Sequence, residues 1–199
     1  GYLGGLALSG PLGLWESGLG AGLAVANSVL VGTRDVDPAE QNLVDEGFIE
    51  LVTVGPDMAE NLRRAIAGRP VYVHIDCDVL DPGVVPTDYI VPDGMTLDQL
   101  SSCAQVLASS ELIGIEIGEL ETNVDDDYDG TCPPAQIIIA ALEPLFEKIT
   151  QEQPGVNAVE RPAPRRRSLR GAPTRVIVDN GDRVAVPMGY DTHRLRDSG

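Results

Sequence analysis

The residues with the clearest chemical capacity lie in one run, His74-Ile75-Asp76-Cys77-Asp78-Val79-Leu80-Asp81-Pro82. An apolar strand, Val71 to Asp76, leads straight into three acids. Carboxylates two positions apart repel each other. They are tolerated when a cation neutralises them or when one holds a proton. Hard oxygen donors of this kind select Mg²⁺, Ca²⁺ or Mn²⁺. Side chains alternate along a strand, so His74, Asp76 and Asp78 point to one face and Cys77 to the other. A bare Asp-x-Asp is a weak signal, and Asp-x-Asp-x-x-Asp-Pro at a strand end is a strong one. The ordinary alternative makes Asp76 a turn cap, Asp78 a solvated acid and Asp81-Pro82 a bend.

Strands and helices alternate along the chain around this run. Residues 28–34 read as a buried strand, 39–46 as a helix opened by Asp37-Pro38, and 49–54 as a short strand. A helix over 58–68 follows, with Asp57 as its cap and Gly68 as its stop. Residues 71–76 are apolar on both faces, as a central parallel strand should be. Thr96 opens a helix, and Gln99 completes a capping box. Residues 112–117 form another strand, and Pro133 starts a helix to about 150 that bends at Pro144. The expectation is an α/β fold with a mostly parallel sheet over residues 1–150. In such sheets ligands bind beyond the carboxyl ends of the strands.

From residue 153 the character changes. The stretch to 175 is rich in Pro, Arg and Ala and reads as a linker over the surface. Residues 176–190 could form a small hairpin about Asn180-Gly181. Residues 151–199 thus read as a linker and tail.

Four segments together resemble the ureohydrolases, the arginase and agmatinase family. Asp76-Cys77-Asp78-Val79-Leu80-Asp81-Pro82 resembles their signature. Gly32-Thr33-Arg34-Asp35-Val36-Asp37-Pro38-Ala39-Glu40 resembles the segment that faces the substrate's α-amino end. Pro92-Asp93-Gly94-Met95-Thr96 resembles a Gly-Gly-Leu-Thr turn. Gly114-Ile115-Glu116-Ile117-Gly118-Glu119 resembles the strand ending in the acid that faces the guanidinium. The resemblance implies a three-layer α/β/α fold and a site with two Mn²⁺ ions. It assigns Asp76 and Asp78 as metal ligands, Glu119 as the catalytic acid on the guanidinium, and Asp37 and Glu40 as substrate-binding. It implies hydrolysis of a guanidino or amidino C–N bond with release of urea. It implies arginine first as the substrate, with agmatine, guanidino acids and formimino compounds open. A homo-oligomer, trimer or hexamer, is implied as well.

The family's Gly-Gly-Asp-His and Asp-x-His-x-Asp segments have no counterpart, since the only histidines are His74 and His193. The chain starts with Gly1 and reads as the C-terminal portion of such a protein, inactive by itself. A non-catalytic arginase-fold binding or oligomer-forming protein is the alternative. A phosphatase using Asp76 as nucleophile lacks its accompanying motifs. His74 reads as a hydrogen-bonded core histidine, and Asp125-Asp126-Asp127-Tyr128-Asp129 as a solvated acidic loop rather than a calcium loop.

Charge and cysteines narrow the partners. Net charge is −17, although residues 154–199 hold nine arginines against five acids. So acidic a body does not bind nucleic acid through phosphates, and it suits metal cations or a small cationic guanidino substrate. No apolar run is long enough for a bilayer. Three widely spaced cysteines, Cys77, Cys103 and Cys132, argue against a disulfide framework and for a reducing cytoplasm.

Overall fold

The computed structural model describes residues 8–16, 18, 21–36, 38–121, 132–152 and 174–178. In chain order the elements are β1 (Ser28–Val31), α1 (Pro38–Asp45), β2 (Glu50–Val52), α2 (Met58–Ile66), β3 (Val71–Asp76), α3 (Leu97–Ala108), β4 (Leu112–Gly118), α4 (Pro133–Ala141), α5 (Glu143–Glu152) and β5 (Thr174–Val178). The strands make one sheet in the order β2-β1-β5-β3-β4. Every neighbouring pair is parallel, as helical connections between strands require.

Each face of the sheet has its own apolar cluster. On one side Val29, Val31, Val71, Val73 and Ile75 pack with Met58, Leu62 and Ile66 of α2 and with Leu100 and Leu107 of α3. On the other, Leu30 of β1 meets Leu43 of α1, Ile49 and the N-terminal leucines Leu8, Leu12 and Leu14. The result is the expected three-layer α/β/α arrangement. Leu62 and Val73 are fully enclosed, each contributing about 1.5–3 kcal/mol of transfer free energy.

The cap of α3 follows its sequence. The Thr96 hydroxyl accepts from the Gln99 amide at 3.2 Å, and the Gln99 side chain accepts from the Thr96 amide at 2.9 Å. Asp57 occupies the cap position of α2 without making that bond, and the helix stops at Ile66 with Ala67 left-handed (φ 52) before Gly68. The expected helix from Pro133 breaks at Leu142 into α4 and α5. Pro144, at the second position of α5, has no N–H to bond back toward Ala140.

Two features differ from the sequence reading. β3 is buried on one face alone: Val71, Val73 and Ile75 are enclosed, while Tyr72, His74 and Asp76 are half-buried. Its second face carries a polar ladder instead of a second apolar layer. The other difference is β5. Residues from 153 onward were expected outside the domain, yet Thr174–Val178 runs between β1 and β3 and pairs with both. The β-branched run Val176-Ile177-Val178 suits a strand hydrogen-bonded on both edges. The 154–173 stretch and the Asn180-Gly181 turn lie outside the described residues.

Candidate metal and substrate site

β3 and β4 run side by side with Asp76 opposite Gly118. Both strands therefore end at one edge, and Glu119, the next residue after Gly118, comes to the edge that carries Asp76. Glu119 has φ 51, a left-handed backbone for a residue with a side chain. Such strain costs of order 1–3 kcal/mol and clusters at functional sites. Gly118 leaves open the space beside Asp76, since a β-carbon there would lie 3.3 Å from Asp76 Oδ1.

The strand does not continue through the motif. Cys77–Val79 is a single 3-10 turn, so the alternation expected to run through Asp78 stops at Asp76. The turn buries Asp78, which is 2% exposed, while Asp76 stays half-buried. Cys77 points into the core. Burial first, then the charges of Asp76, Asp78 and Glu119, push its thiol up to about 12. Such a shift favours the neutral thiol at physiological pH. All three cysteines are free.

His74 is not a core histidine. It lies on the polar face of β3, with Nδ1 2.5 Å from Glu116 Oε1 and Nε2 3.7 Å from Asp76 Oδ2. The Tyr72 hydroxyl donates to Glu116 Oε2 at 2.5 Å. The interaction with Asp76 is the main cause raising the His74 pKa. Burial opposes it, and Glu116 adds to it. This Tyr72–Glu116–His74–Asp76 ladder was invisible in the sequence, because it depends on which residues β3 and β4 set opposite each other.

Glu40 sits in the first turn of α1, just beyond the carboxyl end of β1, and is 5% exposed. Asp37 lies outside the described residues, as does the acidic run 125–129. Asp81 serves the turn: its Oδ1 accepts from the Gly94 amide at 3.0 Å.

Arg34, to which the sequence assigned no role, reaches from the end of β1 beneath this turn. Its Nη1 donates to the carbonyls of Val79 (2.8 Å) and Gly32 (3.3 Å), and its Nη2 to those of Asp78 (3.0 Å) and Val91 (2.9 Å). Desolvation lowers its pKa, against the raising influence of Asp78, Asp81 and Asp93. The available signal was an arginine three residues past a buried strand.

The donor set agrees in type with a hard divalent cation. Asp76 Oδ1 is buried and accepts no hydrogen bond, which leaves an anionic oxygen to be satisfied by something else. Among the described residues, however, no group of three or more His, Cys, Asp or Glu side chains gathers as a metal site.

Residues 16–142 match the model of the arginase family. The chain is 40% identical over 147 residues to N(omega)-hydroxy-L-arginine amidinohydrolase of Streptomyces lavendulae. The match covers 74% of this chain and 53% of that protein, so the chain spans about half the length of this relative. Among solved structures it resembles the arginase of Entamoeba histolytica in complex with L-ornithine, with a TM-score of 0.51 and 20% identity. That match covers 61% of this chain and 44% of the other and bears on the fold alone.

Proposed function

The chain belongs to the arginase family, and we propose that it forms the C-terminal part of a manganese-dependent hydrolase of guanidino compounds. The observation that carries this reading is the backbone placement at the carboxyl edge of β3 and β4: Asp76 lies opposite Gly118, Glu119 follows Gly118, and Asp78 lies in the turn that follows β3.

In this reading Asp76 and Asp78 would hold manganese, which would supply an activated water nucleophile near neutral pH. Glu119 binds the substrate guanidinium through charge-assisted hydrogen bonds and fixes its carbon for attack. Its strained backbone is the cost of aiming that carboxylate over the edge. Glu40, with Asp37, pairs with the α-amino group and so favours an amino-acid substrate over a decarboxylated amine. Arginine, or its N(omega)-hydroxy derivative as in the Streptomyces lavendulae relative, has both groups. Hydrolysis splits the bond between the side-chain nitrogen and the guanidinium carbon, giving ornithine with urea or hydroxyurea.

Two carboxylates supply only part of what two octahedral ions need, about six ligands each. Residues 1–199 alone should therefore bind Mn²⁺ weakly and release little ornithine. A version extended by a family segment carrying Asp-x-His-x-Asp should bind about two ions and turn over, and Asp78→Ala should abolish its turnover. The assay is ornithine release together with bound manganese for both forms. Inactivity of the extended form on arginine, N(omega)-hydroxyarginine and agmatine, despite bound metal, would instead support a non-catalytic arginase-fold protein. The partial donor set among the described residues favours that second reading for this chain alone.

A homo-oligomer, trimer or hexamer, and a reducing cytoplasmic setting belong to the same proposal. Three free cysteines accord with the setting, and no described helix is long and apolar enough to cross a membrane. Light scattering tests the assembly.

A further inference from the structure

We propose that Arg34 is a positioning residue for the metal-binding turn, an inference that rests on the reading of Asp76 and Asp78 as ligands. The turn Cys77–Val79 is short, and its own backbone closure is the Leu80 amide to the Cys77 carbonyl at 3.2 Å. A single turn of 3-10 helix holds its shape poorly by itself. The Met95 amide holds the Val79 carbonyl from one side at 2.9 Å, and Arg34 adds a second set of bonds. One planar guanidinium takes the carbonyls of two successive turn residues, Asp78 and Val79, and ties them to Gly32 at the end of β1 and to Val91 in the segment before α3.

These bonds go to backbone carbonyl oxygens. They fix the peptide on either side of the Asp78 α-carbon, and with it the direction in which that side chain leaves the chain. Arginine can do this because its donors lie in a rigid fork. A lysine ammonium is a point donor and cannot span carbonyls from three segments in fixed directions. The metal loop is thereby shaped before the cation arrives, which lowers the ordering cost of binding.

Charge alone argues for the opposite effect. A cation beside Asp78 repels an incoming metal, so removing it should tighten binding if Arg34 acts only electrostatically. The sign of the change therefore separates the two roles. The experiment measures Mn²⁺ dissociation constants by the electron paramagnetic resonance signal of the free ion. It uses the full chain, Arg34→Met, Arg34→Lys and Asp78→Ala, each well below its own melting midpoint. Positioning predicts binding weakened about ten-fold or more in Arg34→Met, in line with other groups that orient ligands. It predicts weakening in Arg34→Lys as well, despite the retained charge. If Arg34→Met does not fold, Arg34→Lys carries the test. Unchanged or tighter binding in Arg34→Met, or full recovery in Arg34→Lys, overturns the proposal while a loss of binding in Asp78→Ala leaves the site reading intact. Unchanged binding in Asp78→Ala overturns the site reading, and the role of Arg34 with it.

Discussion

Gly94 lies against the peptide that joins Leu80 to Asp81, so close that a β-carbon on it would sit 2.4 Å from the Asp81 nitrogen and 2.5 Å from the Leu80 oxygen. The approach is locked on both sides. The Met95 amide donates to the Val79 carbonyl at 2.9 Å, and the Asp81 amide to the Met95 carbonyl at 3.0 Å. This contact is what brings the Asp-Pro bend and the start of α3 together.

Gly94→Ala should accordingly destabilise the fold by about 3 kcal/mol, at the upper end of overpacking costs. The obstructing atoms are backbone and cannot swing aside. Urea denaturation of the two proteins measures the difference. A loss under about 0.5 kcal/mol, the scale of an ordinary surface change, would mean that the close approach is not present in solution.

Ala67 closes α2 with a left-handed backbone. Glycine adopts that conformation without steric cost. Ala67→Gly is expected to raise stability by about 0.5–1 kcal/mol after allowing for the greater freedom of glycine in the unfolded chain. The thermal midpoint reports the change, and a lower midpoint would contradict the assigned conformation.

Glu119 shares that backbone region but stands at the proposed guanidinium site. Comparing Glu119→Gly with Glu119→Ala removes the side-chain contacts from both proteins and leaves the backbone difference. The glycine variant should be the more stable by about 1 kcal/mol. Neither should support turnover in a version with a complete site. Equal stability of the two variants would show that the strain is absent.

His74 gives a pH dependence whose sign is fixed by its surroundings. Its pKa is raised above 6.5, chiefly by Asp76, so protonation favours the fold. The contribution is fully present below about pH 6.5, the unfolded value, and is lost as pH rises through the folded value. In metal-free protein with chelator, the melting midpoint should fall over that window. His74→Gln should flatten the dependence. A midpoint that climbs across the same window in the parent alone would refute it.

Ending the chain after Glu152 removes β5, which pairs with both β1 and β3. The remaining strands then form two separate pairs, β2-β1 and β3-β4, and a two-stranded pair is marginal without support. The shortened chain should lose cooperative unfolding, read by circular dichroism during a melt. An unaltered melt would remove β5 from the sheet.

What the sequence revealed tracks how local each signal is. The capping box of Thr96 and Gln99, the Pro133 helix start and the strand ending at Asp76 depend on neighbours in the chain, and each appears as read. Asp78 was harder, because alternation holds only while the strand lasts and a 3-10 turn intervenes after Asp76. The ladder from Tyr72 to Asp76 depends on the register between β3 and β4, which no local pattern states. Thr174–Val178 was read beside a Pro- and Arg-rich stretch, and its place between two distant strands is decided by tertiary pairing rather than by its own composition. Arg34 sat inside a recognised segment, but three of its four carbonyl partners come from 44 to 57 positions further along.

The central place of β5 also dictates when the protein can take shape. Ser28 pairs with Arg175 and Val71 with Thr174, so the middle of the sheet waits for a segment that leaves the ribosome after the other four described strands. Until then β1 and β3 each present an open edge, the kind of surface on which nascent chains pair wrongly or aggregate. Contacts between such distant positions slow the search for the native state. The acids at the end of β3 can be held in a finished sheet only once synthesis has passed Val178, so chaperone demand during translation should be concentrated in the interval between β4 and β5.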